Sequence, residues 1–278
     1  MDGILLINKP AGLTSHDVVM KVRKLLKTKK VGHCGTLDPD ATGVLVICVN
    51  KATKAIQFLT ADSKEYVAVL SLGKATDTYD ASGKIVDEKE FNGVSDVEEA
   101  LQSFLGKQKQ IPPMYSAIKV NGKKLYEYAR ENIEVDIKPR NIEIKDIELI
   151  SINDNEIKFK VLCSKGTYVR SLCVDIAERL GYPGHMKSLE RIKSGDFDLK
   201  DCYTLEDIES NQYSMISLDD AFSSFDKMII EDENIVIHGK MIKSDIDHMV
   251  AIYNQQGHIL AIYGPNKEGY LKSIRGLF

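Results

Sequence analysis

The sequence has no apolar run near the ~20 residues needed to span a bilayer, no Cys-x-x-Cys pair, and no repeats or low-complexity tracts. Phosphate-cradling glycine loops, dinucleotide fingerprints and zinc-ligand spacings are missing as well. The five cysteines (Cys34, Cys48, Cys163, Cys173 and Cys202) are odd in number. Reduced thiols in a cytoplasmic protein are therefore expected, with neither a disulfide framework nor a zinc site. The opening Met1 to Pro10 lacks the basic start and small-residue cleavage site of a signal peptide, and reads as a strand. What is present suits a globular core: 278 residues, 43% hydrophobic and 28% charged.

The net charge of −4 is unevenly spread. Residues 201–238 hold ten acidic side chains against one lysine, a local −9, so the other 240 residues carry +5. Residues 1–60 hold nine Lys/Arg against four Asp/Glu, and residues 107–130 six against one. A polyanion responds to local potential. The densest cluster is Lys21, Arg23, Lys24, Lys27, Lys29 and Lys30. It is either a solvated helix face or a phosphate-backbone contact.

Thr14 and Ser15 can cap a helix whose Val18, Val22, Leu25 and Leu26 recur at helical spacing, ending near Thr28. Apolar strands are expected at 44–49 and 64–73, with a short helix over 51–60 between them. Ser95-Asp96-Val97-Glu98 reads as a capping box opening a helix through Leu105. Segments 140–150 and 156–163 read as strands joined at Asn153-Asp154-Asn155, and a helix over 169–180 stops at Gly181. In 111–126, Pro112-Pro113 marks a stiff excursion and Asn121-Gly122 a hairpin turn. Basic and aromatic residues interleave there as single-stranded nucleic acid contacts require, though an ordinary hairpin has the same pattern. Residues 201–233 look like a junction, and 234–278 like a small β-rich appendage with strands at 235–237, 249–253 and 259–263.

The segment from Val31 to Gly43 concentrates chemistry: His33, Asp38, Asp40 and three glycines, running into the apolar Val44 to Val49. Glycines flank Asp38, and Pro39 biases it toward an extended conformation. A carboxylate on a stiff loop feeding a buried strand suits a nucleophile or base. A plain polar turn is the alternative. A calcium loop fails, because Val49 stands where a bidentate Glu is needed. Asp38, Asp40 and Thr42 also fit the Asp-x-Asp-x-Thr signature of magnesium phosphohydrolases, but Val31 to Thr36 is too polar for the preceding strand, and Asp245 with Asp247 only imitates the acidic pair.

Read in order, these motifs resemble the TruB-type tRNA pseudouridine synthases over nearly the whole length. The carriers are Asn8-Lys9-Pro10-x-Gly12-x-Thr14-Ser15, Gly32 to Gly43 around Gly35-Thr36-Leu37-Asp38-Pro39, and Lys64-x-Tyr66 with Gly73-x-x-Thr76-Asp77-Thr78-x-Asp80. Pro112-Pro113-x-Tyr115-Ser116-Ala117-x-Lys119 and Ser164-Lys165-Gly166-Thr167-Tyr168-Val169-Arg170 complete them. Cys34 stands where the family commonly has Thr or Ala, and Asn8 where it has Asp.

The resemblance implies an isomerase acting on the T-loop uridine 55 of tRNA. The C1′–N1 bond breaks, the base turns, and C1′ rejoins through C5. No atoms are gained, so neither cofactor nor metal is implied. Asp38 is the implied essential carboxylate, attacking C1′ or deprotonating C2′. Arg170 would keep it ionised, and Tyr66 would lie against the uracil and assist proton removal at C5. In the substrate-binding set, His33 would replace lost stacking on base flipping. Tyr168 and Leu189 would wall the pocket, Asp80 would hold Arg170 when RNA is absent, and Lys119 would grip RNA. Lys9, with Pro10, would buttress the catalytic loop.

The expected fold is α+β, a mixed, mostly antiparallel sheet with flanking helices. Residues 1–220 would form the catalytic domain, with an RNA-gripping insertion at about 107–140, and 221–278 a PUA-like appendage. The expected partner is the tRNA T-arm stem-loop, bound by a monomer with no membrane and no obligate protein partner. A tRNA-folding role could accompany or replace catalysis.

Overall fold

A computed structural model describes every residue except Met1, Ala61, Asn132 and Glu268. The chain forms two compact units. One comprises Met1–Pro39, Gly43–Thr60 and Phe197–Phe278, the other Asp40–Thr42 and Ala61–Asp196. The architecture is α+β with mostly antiparallel sheets.

In the second unit five strands run antiparallel in the order Gly184–Ser194, Ser63–Leu72, Glu156–Ser164, Arg140–Asn153 and Gly106–Gln110. Period-2 patterning sets its faces. Lys64, Tyr66, Ala68, Leu70 and Leu72 are buried, whereas the residues between them are half-exposed. Ile157, Phe159 and Val161 face the same way. The helix Val169–Arg179 lies against the strands Gly184–Ser194 and Ser63–Leu72. Its buried Leu172, Cys173, Ile176 and Ala177 recur at helical spacing, and each large apolar side chain contributes about 1.5–3 kcal/mol.

Asp175 on this helix is half-buried, and desolvation, reinforced by Glu178, pushes its carboxyl up to about 6 from 3.8. The folded protein therefore holds a proton between pH 3.8 and 6 that the unfolded chain has lost. The stabilisation from this group is full below that window, declines through it, and is gone above pH 6. Asp175→Asn is expected to raise stability by about 1 kcal/mol above the window, discounted for solvent screening, and to change little below it. Thermal melts at the two pH extremes check this.

The first unit pairs Gly3–Lys9 with Thr42–Val49, and Thr42–Val49 with Val31–Cys34, all antiparallel. Between them runs the helix Ser15–Leu25, capped by Thr14 and Asp17 in a reciprocal box. The other edge of the first strand is also occupied: Ile4 N–H donates to Ile216 O at 2.8 Å, and Tyr203 N–H to Leu6 O at 2.9 Å. A five-stranded sheet, in the order Lys227–Ile229, Val250–Tyr253, Ile259–Pro265, Tyr270–Gly276 and Ile242–Lys243, forms the C-terminal part. Its Ala251, Tyr253 and Ile262 share one core with Ile4, Val44, Val46 and Phe222.

Several expectations need correction. Residues 197–278 pack with the opening strands in the first unit. The junction 201–233 holds helices Leu205–Glu209 and Leu218–Ala221, each capped by Ser or Thr. Ile235 to Ile237 is not a strand but lies in the helical turn Asn234–Ile237. There the Asp232 carboxylate accepts the Asn234 N–H at 3.0 Å and starts the turn, and Val236 is buried in the C-terminal core. Local turn chemistry overrides the β-branched run. The Ser95 capping box does not form. Ser95 Oγ donates instead to the Asp96 carboxylate at 2.7 Å, and the helix spans only Val97–Gln102. Residues 107–110 and 140 belong to the sheet, leaving 111–139 as the excursion.

All five cysteines are free thiols. Cys34 and Cys48 lie buried with their sulfurs 3.6 Å apart, and this contact, reinforced by burial, pushes the Cys48 thiol up. No helix among the described residues is long and apolar enough to cross a membrane.

Candidate active site

In the first unit the Asp38 loop is fixed on both sides through its backbone. Ser15 Oγ accepts the Leu37 N–H at 2.9 Å and donates to the Leu37 carbonyl at 3.1 Å. On the far side, Lys9 Nζ donates to the carbonyls of Pro10, Leu13 and Pro39 at 2.8, 2.6 and 2.7 Å. Gly12 N–H adds a second bond to Pro39 O at 3.0 Å. Lys9 is 0% exposed, so its ammonium holds the loop from within. Charge-assisted bonds to several carbonyls offset the desolvation of such a charge. The opening motif thus has a geometric purpose: its Lys and Ser bracket a carboxylate some 30 residues downstream.

Asp38 itself is half-buried. His33 is half-buried on Val31–Cys34, opposite Ile47. Asp40 is exposed. Among the described residues no three His, Cys, Asp or Glu side chains converge as metal ligands would.

In the second unit Arg170 occupies the first turn of Val169–Arg179 and is 5% exposed. Its Nη1 donates to Thr78 O at 3.0 Å and lies 3.5 Å from the Asp80 carboxylate; its Nη2 donates to Tyr115 O at 3.0 Å. A planar fork suits these diverging acceptors. Asp80 is oriented in turn by the hydroxyls of Thr78 at 2.7 Å and Ser82 at 2.6 Å, and by Ser82 N–H at 3.0 Å. The turn carrying them has no room at Gly83, where a Cβ would sit 2.4 Å from Thr78 Oγ1 and 2.5 Å from Asp77 Oδ1.

Tyr66 pairs across the sheet with Arg191, and Ala68 with Leu189. Tyr66, Leu189 and Arg191 therefore share one face, all buried. Lys64 lies two positions from Tyr66 on that face. Its ammonium is pushed below the usual lysine range by burial and by the Arg191 charge. Tyr168 is half-buried at the helix N-cap. Lys119 stands exposed on the hairpin Lys119–Val120/Lys123–Lys124. Its turn has both Asn121 (φ 50°) and Gly122 (φ 84°) left-handed, as the Asn-Gly signature predicts. Lys124 and Arg130 stack on Tyr126, and Lys123 on Tyr128, at 4.9–5.4 Å from the ring centroids.

Sequence reading missed Gln110, Arg191 and Lys64 as buried polar groups of this region, and took Ser15 only as a cap. Gln110, 4% exposed, pairs through its carboxamide with both peptide groups of Tyr168. Nothing in the local pattern of Gln110 marks it, since its partner lies 58 residues away.

Comparison with known proteins extends this picture. A family model described as TruB family pseudouridylate synthase (N terminal domain) matches residues 23–169. One described as tRNA pseudouridylate synthase B C-terminal domain matches 170–236. The tRNA pseudouridine synthase B of Bacillus subtilis (strain 168) is 47% identical over 302 residues, covering 100% of this chain and 98% of the relative. That of Bacillus cytotoxicus is 43% identical over 299 residues, covering 100% and 97%. Among solved structures, a chain in the crystal structure of a Cbf5-Nop10-Gar1 complex superposes with TM-score 0.75 at 25% identity, over 99% of this chain and 85% of that one. An archaeal box H/ACA sRNP Nop10-Cbf5 complex shares the fold at TM-score 0.73 and 22% identity, over 99% and 86%.

Proposed function

The chain belongs to the TruB family of tRNA pseudouridine synthases, and on that premise we propose that it isomerises the T-loop uridine 55 of tRNA with Asp38 as the essential carboxylate. The observation that carries this is the backbone bracket around Asp38, built by Ser15 on Leu37 and by Lys9 on Pro39. Preorganising a reacting group in this way is what a catalytic loop requires.

The proposed reaction breaks the C1′–N1 bond and forms C1′–C5, and the proton lost from C5 balances the one gained at N1. No redox equivalent or added group enters, so no cofactor is needed. Asp38 attacks C1′ or removes the C2′ proton. Tyr66 serves the uracil face and C5 proton removal, Arg170 supplies positive charge, and His33, Tyr168, Leu189 and Lys119 contact RNA. Asp80 orients Arg170, and Lys9 acts as a positioning residue. The target nucleotide must leave its stack, which costs a few kcal/mol and is cheapest in a loop. This favours the T-arm stem-loop as substrate. The same reading has the protein act as a cytoplasmic monomer, with residues 221–278 as a PUA-like RNA-binding part. Mapping pseudouridine in unmodified tRNA after incubation with purified protein, with and without EDTA, tests it. Product confined to the T loop and insensitive to EDTA is expected; phosphate release abolished by EDTA would favour the phosphohydrolase.

The basic segment 21–30, which runs past the helix end at Leu25, supplies a second measurement. Lys21, Lys24, Lys27, Lys29 and Lys30 are exposed, whereas Arg23 turns inward and donates to Val31 O at 3.0 Å. Arg23 therefore leaves the proposed phosphate-contacting set. Replacing Lys27 and Lys30 by Gln is expected to flatten the salt dependence of tRNA binding, lowering the log–log slope by roughly 1 per lost phosphate contact. An unchanged slope removes this segment from the interface.

A further inference from the structure

The helix that carries Arg170 begins without a side-chain cap of its own. Its N-cap residue is Tyr168, which makes no capping bond, where Ser, Thr, Asp or Asn is usual. The missing function comes from another strand. Gln110, the last residue of Gly106–Gln110, donates from Nε2 to Tyr168 O at 3.1 Å and accepts the Tyr168 N–H on Oε1 at 2.8 Å. One carboxamide therefore holds both sides of the N-cap residue.

The next residues continue the attachment. Ser171 Oγ donates to Ile111 O at 3.1 Å, and Arg170 Nη2 donates to Tyr115 O at 3.0 Å. The chain from 110 to 115 is the base of the 111–139 excursion, and it is fastened to residues 168, 170 and 171 in turn. The buried Pro112 and Pro113 lie between these attachments and restrict the backbone there.

From this geometry we infer that Gln110 is a positioning residue for the isomerisation: it sets the placement of Tyr168 and Arg170 and ties them to the base of the RNA-gripping excursion. The inference rests on the function proposed above. It depends on a chemical property that only a carboxamide or a protonated carboxyl has at this position, a donor and an acceptor on adjacent atoms. A carboxylate accepts the Tyr168 N–H but turns a second lone-pair oxygen toward the Tyr168 carbonyl. A buried carboxyl facing a carbonyl also takes up its proton at higher pH than an exposed one.

The test compares wild type, Gln110→Glu and Gln110→Leu in single-turnover conversion of tRNA with enzyme in excess, alongside tRNA affinity, across a pH series. Gln110→Leu is expected to slow conversion by about 10- to 100-fold, the scale of a small misplacement of catalytic groups, at every pH and with affinity retained. Gln110→Glu is expected to be as slow at high pH and to recover toward wild type as pH falls and the introduced carboxyl regains its O–H donor. Because that recovery is read on one preparation, it separates positioning from a folding defect. Wild-type rates in Gln110→Leu, or a ratio of Gln110→Glu to wild type that is flat with pH, overturn the inference. Absence of T-loop pseudouridine with the wild-type protein would instead overturn the proposed function.

Discussion

Asp38→Asn is expected to lower conversion of the T-loop uridine by on the order of 10⁴-fold, the scale seen when a catalytic carboxylate is neutralised, and to leave tRNA affinity nearly intact. The reason lies in how the loop is held. Its anchoring bonds reach the Leu37 peptide and the Pro39 carbonyl, so they survive a change confined to the Asp38 side chain. Asn is nearly isosteric but cannot act as nucleophile or base. A variant with normal turnover would remove Asp38 from the chemistry. If the same variant fully restored growth to cells lacking the enzyme, a tRNA-folding activity would be the dominant role. Failure to restore it would show that such an activity is insufficient.

Arg170→Lys is the second large effect. A lysine keeps the charge but has one ammonium, which cannot serve Thr78 O, the Asp80 carboxylate and Tyr115 O from the positions of two guanidinium nitrogens. Conversion is expected to fall by roughly 10²–10³-fold, as when a preorganised donor is lost. Stability is expected to fall by about 1 kcal/mol from half-buried acceptors left unserved. Single-turnover rates and thermal melts measured together check both parts. Full activity with a lowered melting temperature would confine Arg170 to a structural role.

Short-range signals were the legible ones. The alternation in Ser63–Leu72, the Thr14 cap and the Asn121-Gly122 turn each involve residues close in sequence, so pattern and chemistry sufficed. The strand 140–150 was seen but runs on to Asn153. Ile235 to Ile237 misled because β-branched content says nothing about the Asp232 side chain that starts a helical turn there. Ser95 misled because its hydroxyl had a nearer acceptor. At the site, Asp38 stood out within a loop dense in turn residues. The roles of Ser15 and Gln110 were hidden because their partners are backbone groups 22 and 58 residues away, and a main-chain acceptor leaves no mark on sequence.

The pairing of Ile4 with Ile216 and of Leu6 with Tyr203 bears on the order of assembly during synthesis. Domains fold as units while the ribosome extends the chain from its N-terminus. Ala61–Asp196 is almost continuous in sequence. The strand Gly3–Lys9 must wait for some 200 further residues before its outer edge is covered. Until then the outer edge of that strand and the apolar side chains of Ile4, Leu5 and Leu6 are open to misplaced strand pairing.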